Sequence, residues 1–272
     1  MNRIAQTFDR LRASGRRALM PFVMGGDPAL EATEAFLVGC AEAGADLLEI
    51  GVPFSDPIAD GPINQRAALR ALRAGTTLAG VLDLAARVRP RVTQPIVLLS
   101  YYNPILRMGL EAFTRRASSA GVDGVVIPDL PPEEGHALAT VADPAGLAVI
   151  FLAAPTSTDA RLAQVAAASR GFVYCVSLTG VTGVRSRLAA DVGGLVRRLR
   201  AHTALPVCVG FGVSTPEHAR EIVAVADGVI VGSAIVAIIE RDGAGAGPAL
   251  REFVTALRRG IDARDAADAD AS

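Results

Sequence analysis

An α/β fold, a single (β/α)₈ barrel with a short N-terminal helix, is what the sequence predicts, and three observations carry it. Short apolar, β-prone runs alternate with helix-period segments along the whole 272-residue chain. The strand candidates number eight and recur about every 30 residues between Phe22 and Ile230, the repeat of a barrel of about 250 residues. No Ser- or Pro-rich linker divides them, so residues 1–272 read as one domain. A doubly wound open sheet gives a similar alternation; eight units without a second-domain boundary favour closure, as in a TIM barrel.

Each element has its own signal. In the Arg-rich segment 1–17, Ile4, Phe8 and Leu11 share one helical face, which predicts a short amphipathic helix packed on the domain. The strand candidates are 19–24, 47–52, 96–101, 124–128, 148–152, 172–177, 207–211 and 228–231, apolar enough to be buried on both faces as parallel strands are. Asp27 and Pro28 read as an N-cap and first-turn proline before a helix bearing Phe36, Leu37, Cys40, Ala41 and Gly44 on one face. Thr77 precedes Leu78, Val81, Leu82, Ala85 and Val88 in the same way. Ser214 and Glu217 have capping-box spacing before Ile222, Val223 and Ala226. Leu250, Phe253, Val254 and Leu257 close the helical series; 241–247 reads as a mobile Gly-rich loop and 262–272 as a disordered tail.

Composition narrows the function. A hydrophobic fraction of 51% and a net charge of −1 describe a soluble globular protein, with no basic excess for nucleic acid or an anionic membrane. No segment is continuously apolar enough to span a bilayer, and 1–17 lacks the apolar run of a signal peptide. Cys40, Cys175 and Cys208 are odd in number and set in apolar runs, which suits buried thiols in the cytoplasm. All 27 basic residues are arginine, so catalysis through a lysine Schiff base is excluded. His136, His202 and His218 lack metal-ligand spacing and fall in predicted helices or at their ends rather than after strands, so no catalytic metal is expected. No Gly-x-Ser-x-Gly elbow occurs.

The chemistry then falls to carboxylates. In the strand at 47–52, Leu47, Glu49 and Gly51 share the face opposite Leu48 and Ile50, so Glu49 points away from the helix layer. The loop that follows holds Pro53, Pro57 and Pro62 around Asp56 and Asp60 and has few conformations open to it. Glu49 and Asp60 are the natural general acid/base pair at the C-terminal rim, where barrel active sites lie. After the seventh and eighth strands, Gly210, Phe211, Gly212 and then Gly232, Ser233 combine glycines with helix starts, the chemistry of a phosphate cradle. Residues 179–187, with Thr182 and Gly183, form a long Gly-bearing loop suited to closing over a substrate. Phe22, Tyr101, Tyr174 and Phe211 lie near strand ends and can enclose a flat apolar ring.

These residues carry a resemblance. Leu48-Glu49-Ile50-Gly51-Val52-Pro53-Phe54-Ser55-Asp56-Pro57 with Ala59-Asp60-Gly61-Pro62 closely resembles the signature of the tryptophan synthase alpha subunits, and comparable segments span roughly residues 5 to 260. The resemblance implies a (β/α)₈ barrel that splits indole-3-glycerol phosphate into indole and glyceraldehyde 3-phosphate with no cofactor of its own. It implies that Glu49 shuttles protons between the indole C3 carbon and the glycerol hydroxyl while Asp60 stabilises charge at the indole nitrogen. Phe22, Leu99, Tyr101, Pro128, Tyr174 and Phe211 would surround the ring, and Thr182, Gly183, Gly212, Gly232 and Ser233 would hold the phosphate. It further implies a pyridoxal-phosphate beta subunit that receives indole through a tunnel in an alpha2beta2 heterotetramer, docked through a loop containing Pro53, Asp56 and Pro57. Met24, Pro128 and the loss of every lysine depart from the familiar pattern. Two further readings stay open from the residues: a lyase or isomerase for another phosphorylated sugar, and a non-catalytic activator of a partner.

Overall fold

A computed structural model describes residues 2–176, 185–210 and 212–269. The described strands are β1 (Ala18–Met24), β2 (Leu48–Gly51), β3 (Ile96–Leu99), β4 (Gly124–Val126), β5 (Ala148–Ile150), β6 (Leu152–Ala153), β7 (Val173–Val176), β8 (Val207–Gly210) and β9 (Gly228–Val231). All pair in parallel, in the order β5-β4-β3-β2-β1-β9-β8-β7-β6, which curls into a nearly closed barrel inside a layer of helices. The count of nine corrects the expected eight at one place, because the predicted strand 148–152 breaks at Phe151. Its N–H goes to the Ser169 hydroxyl (3.2 Å) instead of a ladder carbonyl, while its own carbonyl accepts from Tyr174 N (3.2 Å). The break lets β5 pair with β4 and β6 pair with β7, so the two ends of the sheet are joined through one residue.

Side chains sort by strand parity. Leu19, Val23, Leu48, Ile50, Leu98, Val125, Val149, Val209 and Val229 pack outward against the helices. Met20, Leu47, Val97, Val126, Ile150, Phe172, Tyr174, Cys208 and Ile230 fill the barrel. The helix α1 (Arg3–Ala13), capped by Asn2, lays Ile4, Phe8 and Leu11 against Ala18, Leu47, Ala148 and Phe172 of that inner set. The predicted amphipathic helix is therefore the plug of the barrel's N-terminal mouth.

Helix starts follow local chemistry, with two corrections. The helix α2 (Leu30–Glu42) is preceded by Ala29 and has no side-chain cap; Asp27 is instead paired with Arg70, and the Thr33 hydroxyl accepts from Gly26 N (3.0 Å). Residues 62–73 form α3 (Pro62–Arg73), followed by α4 (Leu78–Val88), where Thr77 caps as its sequence predicts. After β3 comes α5 (Tyr102–Met108), and later α6 (Leu110–Ser119), α7 (His136–Ala142), α8 (Asp159–Ala168) and α9 (Arg185–Arg200). In α10 (Pro216–Val223) the cap is Thr215 rather than Ser214, since Pro216 occupies the first helical position and fixes the cap one residue before it.

The C-terminal elements are also more regular than the composition suggests. After α11 (Ser233–Asp242), residues Gly243–Gly245 make a 3-10 turn and Ala246 is buried in the outer core, so 241–247 is anchored there. The last helix, α12 (Gly247–Ala269), runs through most of the segment expected as a disordered tail. Arg258 braces it by reaching one turn ahead to both oxygens of Asp262 (3.0 and 2.6 Å).

A repeated device sets the register at the N-terminal mouth. Asp46, Asp123 and Asp227 stand just before β2, β4 and β9, and each carboxylate accepts a backbone N–H in the first two residues of a neighbouring strand: Leu19 (3.0 Å), Ile96 (2.9 Å) and Val207 (2.9 Å). Each is also paired with arginine: Asp46 with Arg258 (2.8 Å), Asp123 with Arg3 (2.9 Å) and Asp227 with Arg200 (3.3 Å). Burial pushes the Asp46 carboxyl up, against the Leu19 amide and Arg258, which lower it. Both members of the Asp46–Arg258 pair are buried. Removing one partner leaves an uncompensated charge, so Arg258→Ala is expected to destabilise the fold by about 3–5 kcal/mol in urea unfolding. A loss below about 1 kcal/mol, the size of a surface pair, would contradict this role.

Candidate active site

Glu49 lies on the inward face of β2, in register with Phe22 of β1 and Val97 of β3. It is 1% exposed, and neither carboxylate oxygen has a hydrogen-bond partner among the described residues. An ionised carboxylate cannot be kept in such a place without a partner, so the proton stays on. Burial first, and the nearby Asp60 second, push Glu49 up to about 8. The hydroxyl of Tyr174 and the thiol of Cys208 share its surroundings, both pushed well up by burial and then by neighbouring negative charge.

Two glycines make room for this chamber. A Cβ on Gly51 would come within 2.6 Å of the Phe22 ring, and one on Gly210 within 2.4 Å of the Tyr174 hydroxyl. Both rings lie where a side chain on the neighbouring strand would otherwise stand. Phe22 and Leu99 meet in one apolar cluster with Met24, Val236 and the alanines of α3. Leu99 also borders the barrel cluster containing Tyr174.

Asp60 reaches the site from the loop after β2. A turn closed by Asp60 N to Pro57 O (3.0 Å) precedes Gly61 and the N-terminal Pro62 of α3. The Tyr101 hydroxyl is the loop's anchor: it donates to Asp60 Oδ2 (3.1 Å) and accepts from Ala59 N (2.9 Å), while its ring stacks on Phe54 at 5.2 Å. Burial raises the Asp60 carboxyl, opposed by hydrogen bonds from Tyr101 and Asn64. Burial and Asp60 in turn push the Tyr101 phenol up, so it remains a donor. Pro53 is buried at the loop's root, whereas Asp56 is exposed and Pro57 half-buried at its tip, beside Ile58, which is 84% exposed.

Of the residues expected to bind phosphate, Gly212, Gly232 and Ser233 are described and follow β8 and β9. Gly232 caps α11 and Ser233 begins it, leaving free helix N–H groups beside the Phe22 ring, 3.5 Å from where a Gly232 Cβ would stand. Gly212, at φ +77°, is exposed ahead of α10. Thr182, Gly183, Phe211 and most of the expected lid at 179–187 lie outside the described residues. Pro128 lines a rim cleft of about 380 Å³ with Leu130, Leu152 and Arg161. Among the described residues no three His, Cys, Asp or Glu side chains are grouped to hold a metal ion, and no helix is long and apolar enough to cross a membrane.

Sequence reasoning overlooked Asn64, Gln65 and Cys208. Asn64 bonds the Asp60 carboxylate, and the Gln65 amide donates to the Asp60 carbonyl (2.9 Å). Their position in the first turn of a helix starting two residues after Asp60 was the available signal. Cys208 and Gly210 share the inward face of their strand, the same parity that places Glu49 inside.

Thus a buried, unpartnered carboxyl faces a second carboxylate on a braced loop, beside apolar rings and a helix N-terminus. Such a site can donate and recover a proton next to a flat apolar group on an anionic tail. The family profile described as tryptophan synthase alpha chain matches residues 8–263. A tryptophan synthase alpha chain of Geobacter sulfurreducens is 54% identical over 262 residues, covering 96% of this chain and 99% of that one. One of Gloeobacter violaceus is 51% identical over 238 residues, covering 87% and 86%. The crystal structure of tryptophan synthase subunit alpha from Legionella pneumophila superposes with a TM-score of 0.90 at 35% identity, covering 97% of this chain and 99% of that chain. A chain of tryptophan synthase from M. tuberculosis superposes with a TM-score of 0.88 at 37% identity, covering 96% and 99%. The chain belongs to the tryptophan synthase alpha chain family, lyases that cleave indole-3-glycerol phosphate in tryptophan biosynthesis.

Proposed function

We propose that this chain cleaves indole-3-glycerol phosphate by carboxylate general acid/base catalysis, with Glu49 as the proton donor and Asp60 as the counter-charge. The observation that carries the reading is the Glu49 carboxyl, sealed inside the barrel without a partner beside Asp60. Glu49, protonated at neutral pH, gives its proton to C3 of the indole ring. The ring becomes an iminium ion whose positive nitrogen is stabilised by Asp60. The carboxylate just formed then takes the proton of the hydroxyl on the carbon attached to C3. That oxygen becomes the aldehyde carbonyl as the carbon–carbon bond breaks, and the bond's electrons restore the neutral indole. One proton leaves Glu49 and one returns, so no cofactor, metal or Schiff base is needed.

Phe22, Leu99, Tyr101, Pro128, Tyr174 and Phe211 are the proposed walls for the ring, and Thr182, Gly183, Gly212, Gly232 and Ser233 the proposed phosphate contacts. The free N–H groups at the start of α11, beside Phe22, support the phosphate end of this assignment. The family name implies a beta subunit, and we assign its docking to the loop of Pro53, Asp56 and Pro57, within an assembly of two alpha and two beta chains. Ile58 at 84% exposure and Leu106 of α5 at 50% support it, as two large apolar side chains left in water on neighbouring rim segments. The three free, buried cysteines fit residence in the reducing cytoplasm.

Three outcomes follow. Glu49→Gln should lower the rate of indole release about 10² to 10⁴-fold while leaving substrate affinity nearly intact; turnover near the wild-type rate would remove Glu49 from its role. The reacting form of the free enzyme carries the proton, so kcat/KM should fall as pH rises through about 8. A kcat/KM that instead rises across that range would mean that the ionised form starts the reaction. Ile58→Asp should raise the dissociation constant for the beta subunit about tenfold, measured by titration calorimetry. An unchanged constant would place the interface elsewhere.

A further inference from the structure

Arg70, on the third turn of α3, makes five short contacts' worth of a charged clamp together with its neighbours. Its Nε and Nη2 each lie 2.8 Å from an oxygen of Asp27, a side chain only 1% exposed, and its Nη1 lies 2.7 Å from Glu240 of α11. Arg66, one turn earlier, grips both oxygens of the same Glu240 at 2.7 Å. The apolar face of α3 that sits on the barrel is made of Ala67, Ala68 and Ala71, with the half-buried Ile63 at its start. Three alanines and one half-buried isoleucine bury little area, so they hold the helix close to the sheet while fixing only weakly where it slides. Two planar forks on two carboxylates do fix it.

What α3 positions is the second carboxylate. The Asp60 carbonyl is held by Gln65 and its carboxylate by Asn64, both on the first turn of α3. At the other end of the clamp, Asp27 belongs to the turn after β1, where Gly25 N donates to Gly51 O at 2.8 Å. Gly51 is two residues beyond Glu49 on β2. The chain of contacts from Gly51 through Gly25, Asp27 and Arg70 to Asn64 and Gln65 therefore ties the strand bearing one carboxyl to the helix whose first turn holds the loop bearing the other. We propose that Arg70 is a positioning residue that sets the separation of Glu49 and Asp60. This rests on the assignment of those two carboxyl groups as the acid/base site.

The test uses the full chain cleaving indole-3-glycerol phosphate, with Arg70→Lys keeping the positive charge but losing the fork. The groups that act electrostatically on Glu49 or share its chamber are Asp60, Tyr174 and Cys208, and of these only Asp60, on the loop before α3, is held by that helix through Asn64 and Gln65. Letting Asp60 drift away should therefore lower kcat about tenfold or more, with KM much less affected, and move the alkaline limb of kcat/KM to lower pH. A merely structural arginine would lower the melting temperature and leave that limb where it is. A limb unchanged from wild type, whether or not kcat falls, overturns the proposal. Should Arg70→Lys fail to fold, Glu240→Gln, which keeps the Asp27 fork and weakens the α11 half, decides: a smaller shift of the limb in the same direction supports the proposal and an unmoved limb overturns it. Failure of the underlying site reading is separate, since it appears as wild-type turnover in Glu49→Gln.

Discussion

Desolvation of one carboxyl group is the constraint on which the rest of the site depends. Glu49 is surrounded by barrel-filling side chains and has no donor to stabilise its anion among the described residues. Its folded value near 8, against an ordinary 4.5, means that the native state holds a proton that the unfolded chain has released between those pH values. The sign is unfavourable to folding: the native state loses stability as pH rises from 4.5 to 8, by about 1.4 kcal/mol per pH unit, and the loss is complete above 8. A buried acid of this kind is retained at the expense of stability, which is what a group needed for proton transfer near neutral pH requires.

The barrel around it offsets that cost in separate places. At the N-terminal mouth, Asp46, Asp123 and Asp227 fix strand register by accepting backbone amides, and arginines neutralise them. At the C-terminal rim the Glu49 carboxyl is instead left without a partner among the described residues, while Asp60 is held by Tyr101 and Asn64 rather than by an arginine. The two ends of one architecture thus treat carboxyl groups differently: paired with arginine where they set strand register, and without an arginine at the Glu49–Asp60 pair. Tyr101 and Arg70 are the intermediate case, polar groups that leave the chemistry to others and hold its loop and helix in place.

Much of this was legible in the sequence because strand parity is a strict rule. Alternation alone put Glu49 on the inner face, and the inner cluster of Leu47, Val97 and Tyr174 follows the same period. The helix-opening glycines at 232 and the proline-rich approach to Asp60 were visible for similar local reasons. The failures were of two kinds. At Ser214 and Thr215 two adjacent residues were each able to cap, and the choice fell to Pro216; at Phe151 a strand that looked continuous had to change partners to close the cylinder. The clamp was invisible because its members are 43 and 170 residues apart, and Asp27 before a proline looked like an ordinary helix cap. Local patterns reveal faces and turns, whereas long-range charge pairs are created by the fold itself.

A carboxyl group inside this barrel carries a proton at neutral pH. Carboxyl carbon NMR on the full chain, with the Glu49 resonance assigned by its loss in Glu49→Gln, measures this directly. A titration midpoint near 8 is expected in the unliganded protein. A midpoint near 4.5 would mean that Glu49 is already ionised at pH 7, and the proton donor would have to be sought elsewhere.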